Sequence, residues 1–500
     1  MYLLGIDVGT SGCKIVLTDE AGAILAKAYH EYPLSVPRPG WSEQNPEDWY
    51  QAACAGIRDV LAGRKGSEVA GLAVSGMMAT LVVLDERGEV IRPAILWNDQ
   101  RSTAQAEGVT AALGLETVLR HTANVIFPSF FAPKILWMKE HEPEHYQKIR
   151  WVLFPKDYLV YRLTGRLVTD VTDMSGSCLY DVKARQYAGE MCRAFSVRRE
   201  WLPECVESQT AVGMVSAAAA ADTGLSRQTT VAAGGGDQAC QALGSGIVRP
   251  GMCGVTVGTS GVVLVNSDTF RMQEQGRLHA FCHAVRGQWY MMGVMLSAGG
   301  SYQWLRNLLR THEPALDYDR MNALAAASPA GSRGLFFLPY LCGERCPHND
   351  AYARGVFFGL SASHGSGDMI RAVMEGITYG LLDCFDMIRD SGCTVDRVYV
   401  SGGASNSALW MGMIADMFGV PTVQNSAPEA GALGAVLLAG AACGAFPDVM
   451  QAAERITGTG REFLPRPENT ARYAEGHAIY GRLYERLKDT FADAAALQGG

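Results

Sequence analysis

The chain has 500 residues, a length that predicts about two or three domains with large buried cores, and its composition, 48% hydrophobic and 19% charged, is typical of a globular protein. Its formal net charge of −8 at pH 7 disfavours a nucleic-acid-binding surface, and its longest apolar run, residues 430–446, is short for a membrane span. The 13 cysteines include no CxxC pair, and the N-terminus has no signal-peptide pattern. We therefore expect a cytoplasmic protein with reduced thiols, with neither nucleic acid nor a membrane as partner.

The N-terminal half begins with three apolar runs that are separated by turn residues. This pattern predicts an antiparallel meander, followed by helices at the spacing that buries one face. The predicted elements are strands at 2–7, 13–19, 24–32, 69–75 and 81–85, and helices at 46–61 and 128–141.

The C-terminal half repeats this order of strands followed by helices, after a glycine-rich stretch that begins near residue 231. The repetition predicts an α/β protein of two related domains, 1–246 and 247–500, with an interdomain cleft. The predicted elements are strands at 254–266, 289–295 and 397–400, and helices at 298–309, 368–390, 407–418 and 432–442.

One octapeptide occurs twice, half a chain apart. Residues 5–12 are GIDVGTSG and residues 254–261 are GVTVGTSG. In each copy an apolar run leads into a Gly-Thr-Ser-Gly turn, whose backbone N–H groups and hydroxyls can face an anion. The two copies therefore predict a duplicated fold that holds one polyphosphate from both sides. Asp7 is replaced by Thr256 in the second copy, so only the first can offer a carboxylate to a metal ion.

Asp237 follows three consecutive glycines at the end of the apolar run 231–233. One interpretation is that its carboxylate caps the helix that follows. The other is that Asp237 is a general base in the cleft, because phosphoryl transfer from a nucleotide needs a group that orients the attacking hydroxyl and accepts its proton. An aspartate with the ordinary pKa of about 3.9 is ionised at neutral pH and suits this role.

The segment PAILWNDQR, residues 93–101, joins Trp97 to a dense run of polar side chains. An aromatic ring beside hydrogen-bonding groups suits a sugar, which has an apolar face and several hydroxyls. A polar surface loop is the alternative interpretation.

A second glycine-rich connection, Gly402-Gly403, lies between the predicted strand at 397–400 and the helix that begins near Ser407. Glycines at this place allow a base or a phosphate to lie close to the backbone, which favours nucleotide binding. An ordinary strand-to-helix connection is the alternative.

Nine segments together resemble the FGGY family of carbohydrate kinases, from about residue 2 to residue 446, and are most similar to its xylulokinase members. In chain order they are GIDVGTSGCK, GWSEQNPEDW, RPAILWNDQR, APKILW, AAGGGDQ, VGTSG, PYLCGERCPHND, ARGVFFGL and SGGASNSALW. The resemblance implies two actin-like, ribonuclease H-like domains that close on ATP, Mg²⁺ and a sugar, and in many members a homodimer. It implies phosphorylation of the terminal hydroxyl of a ketopentose, with D-xylulose to D-xylulose 5-phosphate as the first reaction expected.

The resemblance also implies a role for each matched residue. Asp237 would be the catalytic base, and Asp7 would lie near the metal. The first phosphate loop would contain Thr10, Ser11 and Lys14; the second Gly258, Thr259 and Ser260; the adenosine pocket Gly402, Gly403, Ala404 and Ser407; and the sugar site Met78, Ala79, Trp97, Asn98, Asp99, Arg101, Asp237 and Gln238.

The chain departs from the xylulokinase pattern at the sugar. Residues 76–80 are Gly-Met-Met-Ala-Thr where those kinases have Gly-Gln-Met-His-Gly, so Ala79 replaces a sugar-contacting histidine, and Gln238 stands where Asn is usual. Because polar contacts discriminate strongly between sugars, L-xylulose, ribulose and glycerol stay open as acceptors. A non-catalytic, actin-like ATP-binding sensor is the alternative from another class, although such a switch needs neither Asp237 nor the polar run 97–101.

Overall fold

The computed structural model describes residues 1–425, 427–458 and 460–498. Two seven-stranded sheets, one in each half of the chain, form its frame. The strands are β1 (Tyr2–Val8), β2 (Gly12–Asp19), β3 (Ile24–Glu31), β4 (Glu43–Gln44), β5 (Val69–Gly76), β6 (Val82–Leu84), β7 (Ala94–Ile95), β8 (Trp151–Leu153), β9 (Val168–Asp170), β10 (Tyr180–Asp181), β11 (Gln186–Tyr187), β12 (Glu204–Val206), β13 (Ala211–Met214), β14 (Thr230–Ala232), β15 (Gly235–Gly236), β16 (Gly251–Val257), β17 (Gly261–Ser267), β18 (His279–Cys282), β19 (Trp289–Met295), β20 (Phe336–Leu338), β21 (Val356–Phe358), β22 (Val395–Gly402), β23 (Thr422–Gln424) and β24 (Glu462–Phe463).

The α-helices cover the faces of these sheets and connect their strands. They are α1 (Pro46–Val60), α2 (Thr103–Leu113), α3 (Leu115–Thr122), α4 (Phe131–His141), α5 (Pro143–Lys148), α6 (Pro155–Thr164), α7 (Val171–Ser175), α8 (Gly189–Ala194), α9 (Ala217–Thr223), α10 (Asp237–Gly244), α11 (Gly299–Leu309), α12 (Tyr318–Ala327), α13 (Ser366–Asp390), α14 (Ala408–Phe418), α15 (Ala430–Ala442), α16 (Val449–Thr457) and α17 (Pro467–Gln498). No helix in the described ranges is both long and apolar enough to cross a membrane.

The two main sheets share one topology. In the first, β1, β2 and β3 form an antiparallel meander, and β5 and β14 continue the sheet in parallel with β1. In the second, β16, β17 and β19 form the meander, and β22 and β23 continue it in parallel. The predicted meander of the N-terminal half and the predicted duplication are thus both present.

The strand predicted at 254–266 is wrong as a single element. The second Gly-Thr-Ser-Gly sequence reverses the chain there, so that β16 and β17 form a hairpin in which Val257 pairs with Gly261. The strand predicted at 81–85 occurs as β6, but β6 pairs with β8 outside the main sheet.

The helices follow from local sequence signals. Pro46 begins α1, the Asn45 side chain accepts a hydrogen bond from the Glu47 backbone N–H, and the apolar face that includes Trp49 and Ile57 is buried. The predicted helices at 298–309, 368–390 and 407–418 occur as α11, α13 and α14.

Helix α15 belongs to the C-terminal half but packs on the first sheet, between β1, β5 and α10. Glycines allow this approach: a Cβ atom on Gly5 would lie 2.1 Å from the Ala432 carbonyl oxygen, and one on Gly244 would lie 1.9 Å from that of Ala430. The boundary between residues 246 and 247 stays a prediction, and α15 is an element of the second half that completes the first core.

We expect Gly244→Ala to lower the free energy of unfolding by about 1–3 kcal/mol, because the new methyl group would force α10 and α15 apart. Equilibrium unfolding in urea measures this change. Gly481→Ala in α17 is the matched control, since a Cβ there meets no atom within 4 Å, and alanine favours a helix over glycine by up to about 1 kcal/mol. Equal stability of Gly244→Ala and the natural chain would contradict this packing.

Candidate active site

Two cavities lie on either side of the second Gly-Thr-Ser-Gly turn. The first, of about 360 Å³, is lined by both halves of the chain and includes Asp237 and Ser260. The second, of about 400 Å³, is lined by the C-terminal half and includes Gly258 and Thr259. This turn therefore contacts both cavities.

Asp237 is placed in the first cavity by the glycines that precede it. Gly235 and Gly236 pair in parallel with the end of β5, and Gly234 has φ 78° with no room for a Cβ atom against the Val74 carbonyl oxygen. Asp237 is the first residue of α10, and its Oδ1 accepts a hydrogen bond from the Gln238 backbone N–H at 2.7 Å. The Asp237 carboxylate thus lies at a helix start and in the cleft, but the N-cap position is that of Gly236, with no side-chain capping hydrogen bond.

The environment of the Asp237 carboxyl raises its pKa into the neutral pH range. Burial, and then the charge of Asp7, raise the pKa of Asp237 to about 7. Burial also raises the pKa of Asp7, although the Ser75 hydroxyl and the Lys14 ammonium act in the opposite direction. A proton acceptor with a pKa near the working pH is what general base catalysis requires.

A buried ionic group, here called the Lys156 cluster (Lys156, Asp157, Asp170 and Asp173), supports the turn that carries Asp237. Lys156 Nζ lies 2.5 Å from Asp157, 3.0 Å from Asp170 and 3.5 Å from Asp173, and all four side chains are buried. The Thr172 hydroxyl connects the cluster to the turn.

This connection consists of two hydrogen bonds. The Gly236 backbone N–H donates to Thr172 Oγ1 at 2.8 Å, and the Thr172 hydroxyl donates to Asp170 Oδ2 at 2.6 Å. Burial raises the pKa of Asp173 well above its ordinary value, and neither of its oxygens has a hydrogen-bond partner among the residues that the structure describes. The cluster holds the backbone immediately before Asp237.

The first Gly-Thr-Ser-Gly turn also contacts a residue that lines the first cavity. Trp97 Nε1 donates to Thr10 Oγ1 at 2.9 Å, and Gln44 Nε2 donates to the Thr10 carbonyl at 2.8 Å. The Trp97 side chain and its neighbour Asn98 line the first cavity, as do Met78, Ala79 and Gln238. Ser11 is exposed at the turn, and Lys14 forms an ion pair with Glu429 at 2.7 Å.

The prediction that Asp99 and Arg101 belong to the sugar site needs a correction, because neither side chain lines the first cavity. Their side chains are buried and paired, with Arg101 Nε donating to Asp99 Oδ1 at 2.8 Å and Arg101 Nη1 to Glu43 at 2.7 Å. Asp99 Oδ2 also accepts from the Ser42 backbone N–H at 2.7 Å, and Arg101 lies 3.8 Å from the Trp41 ring centroid. These two residues fix the loop that presents Trp97.

The second cavity contains most of the residues predicted for adenosine. Gly403, Ala404 and Ser407 line it. Gly402 lies beneath with φ 76°, and a Cβ atom there would be 2.4 Å from the Val257 carbonyl oxygen. The sequence did not indicate the opposite wall, which α11, α12 and α14 supply with Tyr302, Gln303, Tyr318, Asp319, Asn322 and Trp410.

The first cavity also has a wall that sequence reasoning missed. It comes from the loop before α4, from the residue that follows α7, from strands of the second sheet and from the loop after β20. Its residues are Ser129, Phe130, Gly176, Val262, His279, Phe281, Met292, Val294 and Arg345. The segment PYLCGERCPHND, which contains Arg345, was a signal that could have indicated part of this wall.

Comparison with known proteins agrees with this architecture. The N-terminal domain model of the FGGY family of carbohydrate kinases matches residues 2–244, and the C-terminal domain model matches residues 253–443. The chain belongs to this family, and it is a carbohydrate kinase, a phosphotransferase with an alcohol acceptor.

Individual relatives match over nearly the whole chain. A xylulose kinase of Bacillus subtilis is 35% identical over 490 residues, covering 98% of this chain and 97% of the relative. A xylulose kinase of Escherichia coli is 36% identical over 489 residues, covering 97% and 99%. A crystal structure described as a xyloylose kinase from Brucella ovis superposes with a TM-score of 0.92 at 33% identity, covering 98% of this chain and 100% of the other. These matches confirm the two-domain, actin-like kinase fold.

Proposed function

We propose that the protein transfers the γ-phosphoryl group of ATP to the terminal hydroxyl of a ketopentose, with D-xylulose to D-xylulose 5-phosphate as the first reaction to test. The observation that carries the proposal is the position of Asp237, in a cavity that shares one Gly-Thr-Ser-Gly turn with a second cavity. The relatives described as xylulose kinases, at 35% and 36% identity, support the choice of sugar.

In this proposal Asp237 orients the terminal hydroxyl and accepts its proton as the oxygen attacks phosphorus. The two Gly-Thr-Ser-Gly turns hold the phosphates, and the second cavity holds adenosine between Tyr302 and Ala404. Trp97 and Met78 contact carbons of the sugar. Little other covalent chemistry is needed from the protein, because positioning and electrostatic stabilisation dominate phosphoryl transfer.

The residues present fit a magnesium ion that arrives with ATP. No group of three or more His, Cys, Asp or Glu side chains among the described residues could hold a metal by itself. Mg²⁺ in phosphoryl-transfer sites commonly uses only one or two carboxylates together with phosphates and water. Asp7, near enough to Asp237 to raise its pKa, is the carboxylate we assign to this role. When bound, the ion would neutralise charge on the phosphates.

The test is an ADP-release assay with Mg²⁺ and ATP against D-xylulose, L-xylulose, D- and L-ribulose and glycerol. We expect one ketopentose to lead with kcat/KM above about 10⁴ M⁻¹s⁻¹. If glycerol had the highest kcat/KM of the panel, glycerol would replace the ketopentose as the proposed acceptor. ATP binding without transfer to any sugar would favour the sensor alternative.

The raised pKa of Asp237 predicts a pH dependence. The base must be ionised, so kcat/KM should fall about tenfold per pH unit below a pKa near 7 and level off above it. The measurement uses limiting concentrations of both substrates, so that the free enzyme determines the profile. A flat profile between pH 5.5 and 8 would contradict the assignment of Asp237 as the base.

Ala79 has φ 62° and lines the cavity where related kinases have histidine. Histidine tolerates this backbone conformation better than most residues. If D-xylulose is a poor acceptor of the natural chain, we expect Ala79→His to raise its kcat/KM by about tenfold through one added hydrogen bond. The matched control is Ala79→Phe, which adds a ring without a nitrogen. Equal effects of the two substitutions would contradict a hydrogen-bonding role at this position.

A further inference from the structure

Arg345 places an unpaired cation in the wall of the sugar cavity. Its side chain lines the cavity and lies 4.8 Å from the Phe127 ring centroid. In the described part of the chain its guanidinium forms neither an ion pair nor a hydrogen bond, in contrast to Arg101, whose guanidinium is held by Asp99 and Glu43. A guanidinium has five N–H donors, and this side chain lines a space that a ligand can fill.

The neighbouring Glu344 carboxyl group does not serve as the ion-pair partner of Arg345. Glu344 Oε1 already accepts from the backbone N–H groups of Leu296, at 2.9 Å, and of Arg345, at 2.7 Å. Burial raises the pKa of Glu344 to about 8, so this carboxyl is largely neutral at pH 7. A part-buried guanidinium without an ionised partner is costly, and an oxygen acceptor on the ligand would offset that cost.

His279 also lines this cavity, and it offers a hydrogen-bond acceptor where Arg345 offers donors. Its Nδ1 lies 3.1 Å from Asn124 Oδ1, and the Asn124 amide nitrogen donates to the carbonyls of Thr122 and Ala280. These bonds fix the amide with its oxygen toward the ring, so Nδ1 carries the proton and Nε2 is an acceptor. Burial and Arg345 lower the pKa of His279 to about 3, which keeps the ring neutral.

The two residues stand on other elements than the proposed base. Asp237 begins α10, whereas His279 lies on β18 and Arg345 in the loop after β20. His279 and Arg345 both pack against the Phe127 ring, with His279 5.6 Å from its centroid. They form one subsite, a donor beside an acceptor.

A 2-ketose offers the complementary pair at one end of its chain. The C2 carbonyl oxygen accepts hydrogen bonds, and the adjacent C1 hydroxyl donates one. A ketopentose in the furanose form uses its C5 hydroxyl to close the ring, so only the open chain presents a terminal hydroxyl and a carbonyl together. The form that can be phosphorylated at C5 is thus the form that displays both groups.

We propose that Arg345 and His279 are specificity-determining residues that bind the α-hydroxyketone end of the acceptor, Arg345 at the C2 carbonyl and His279 Nε2 at the C1 hydroxyl. This inference rests on the proposed function and narrows it to 2-ketoses. A polyol has a hydroxyl in place of the carbonyl, whose proton needs a further acceptor. An aldonate has a carboxylate in place of the C1 hydroxyl, so an acceptor oxygen would meet the acceptor nitrogen His279 Nε2.

The experiment compares kcat/KM for each ketopentose with that for its two reduction products, for its 1-deoxy analogue and for the corresponding aldonate. The natural chain should prefer the ketose to each analogue by at least about tenfold. Arg345→Met should lower kcat/KM for the ketose by about 10- to 100-fold, mainly through KM, and bring the ketose-to-polyol ratio close to one. His279→Phe should remove the preference for the ketose over its 1-deoxy analogue.

Arg286→Met is the matched control, because Arg286 is exposed in the turn between β18 and β19, and it should leave every ratio unchanged. Thermal unfolding and ATP binding check that each variant is folded, and Arg345→Leu replaces Arg345→Met if the latter does not fold. Ketose turnover with an unchanged ketose-to-polyol ratio in the folded Arg345 variant overturns the subsite alone. Failure of the natural chain to phosphorylate any 2-ketose overturns both the subsite and the proposed function.

Discussion

Asp237→Asn is expected to lower kcat by about 10³-fold while KM for ATP and for the sugar changes little, because the amide keeps the shape of the side chain but cannot accept the proton. Steady-state kinetics at the pH of maximal activity measures the loss. The acidic limb of the pH profile should disappear in the same variant, since the group with the raised pKa is gone.

Asp396→Asn is a suitable control, because Asp396 is exposed on β22 and lines neither cavity. Its kinetics should match those of the natural chain. If Asp237→Asn kept kcat within about tenfold, the cost would be only about 1.4 kcal/mol, and Asp237 would not be the base.

Lys156→Met is expected to lower the free energy of unfolding by about 3–5 kcal/mol, because it leaves the carboxylates of the Lys156 cluster buried without their counter-charge. Without the lysine these carboxyl groups should have raised pKa values in the folded state. Folding then binds protons, so stability should decrease as the pH rises from about 4. Urea unfolding at pH 5 and pH 8 should show the larger loss at pH 8.

Two control variants accompany Lys156→Met. Lys148→Met, at an exposed position at the end of α5, should change stability by less than about 0.5 kcal/mol. Lys156→Arg keeps the charge and should be more stable than Lys156→Met. Equal stability of Lys156→Met and the natural chain would show that the cluster does not hold the Asp237 turn.

Elements with a clear local period could be predicted from the sequence. The meander and helices such as α1, α13 and α14 follow from apolar spacing and caps, and the duplication follows from the repeated octapeptide. The hairpin of β16 and β17 was missed as two strands because apolar residues continue on both sides of its short turn. The Gly-Thr-Ser-Gly residues, which favour a turn, were the better signal for where one strand ends and the next begins.

The candidate site was predictable only where one segment supplies the residues. Asp237, Trp97 and Ala79 line the cavity, because glycine turns and strand ends place them there. Asp99 and Arg101 belong to the same polar run as Trp97, but a run of polar residues does not reveal which side chains face a cavity and which pair with each other. Arg345 belongs to a segment that carries the family resemblance, PYLCGERCPHND, but its place in the cavity depends on the packing of the two halves of the chain.

Identification of the phosphorylated carbon by phosphorus–proton correlation NMR tests the central claim most directly. The product of the preferred ketopentose should carry its phosphate on C5, because we propose that Asp237 holds the terminal hydroxyl while Arg345 and His279 hold the carbonyl end. Asp237→Asn should form the same product about 10³-fold more slowly. Phosphate on C1 would contradict the orientation, and undiminished product formation by Asp237→Asn would contradict the mechanism.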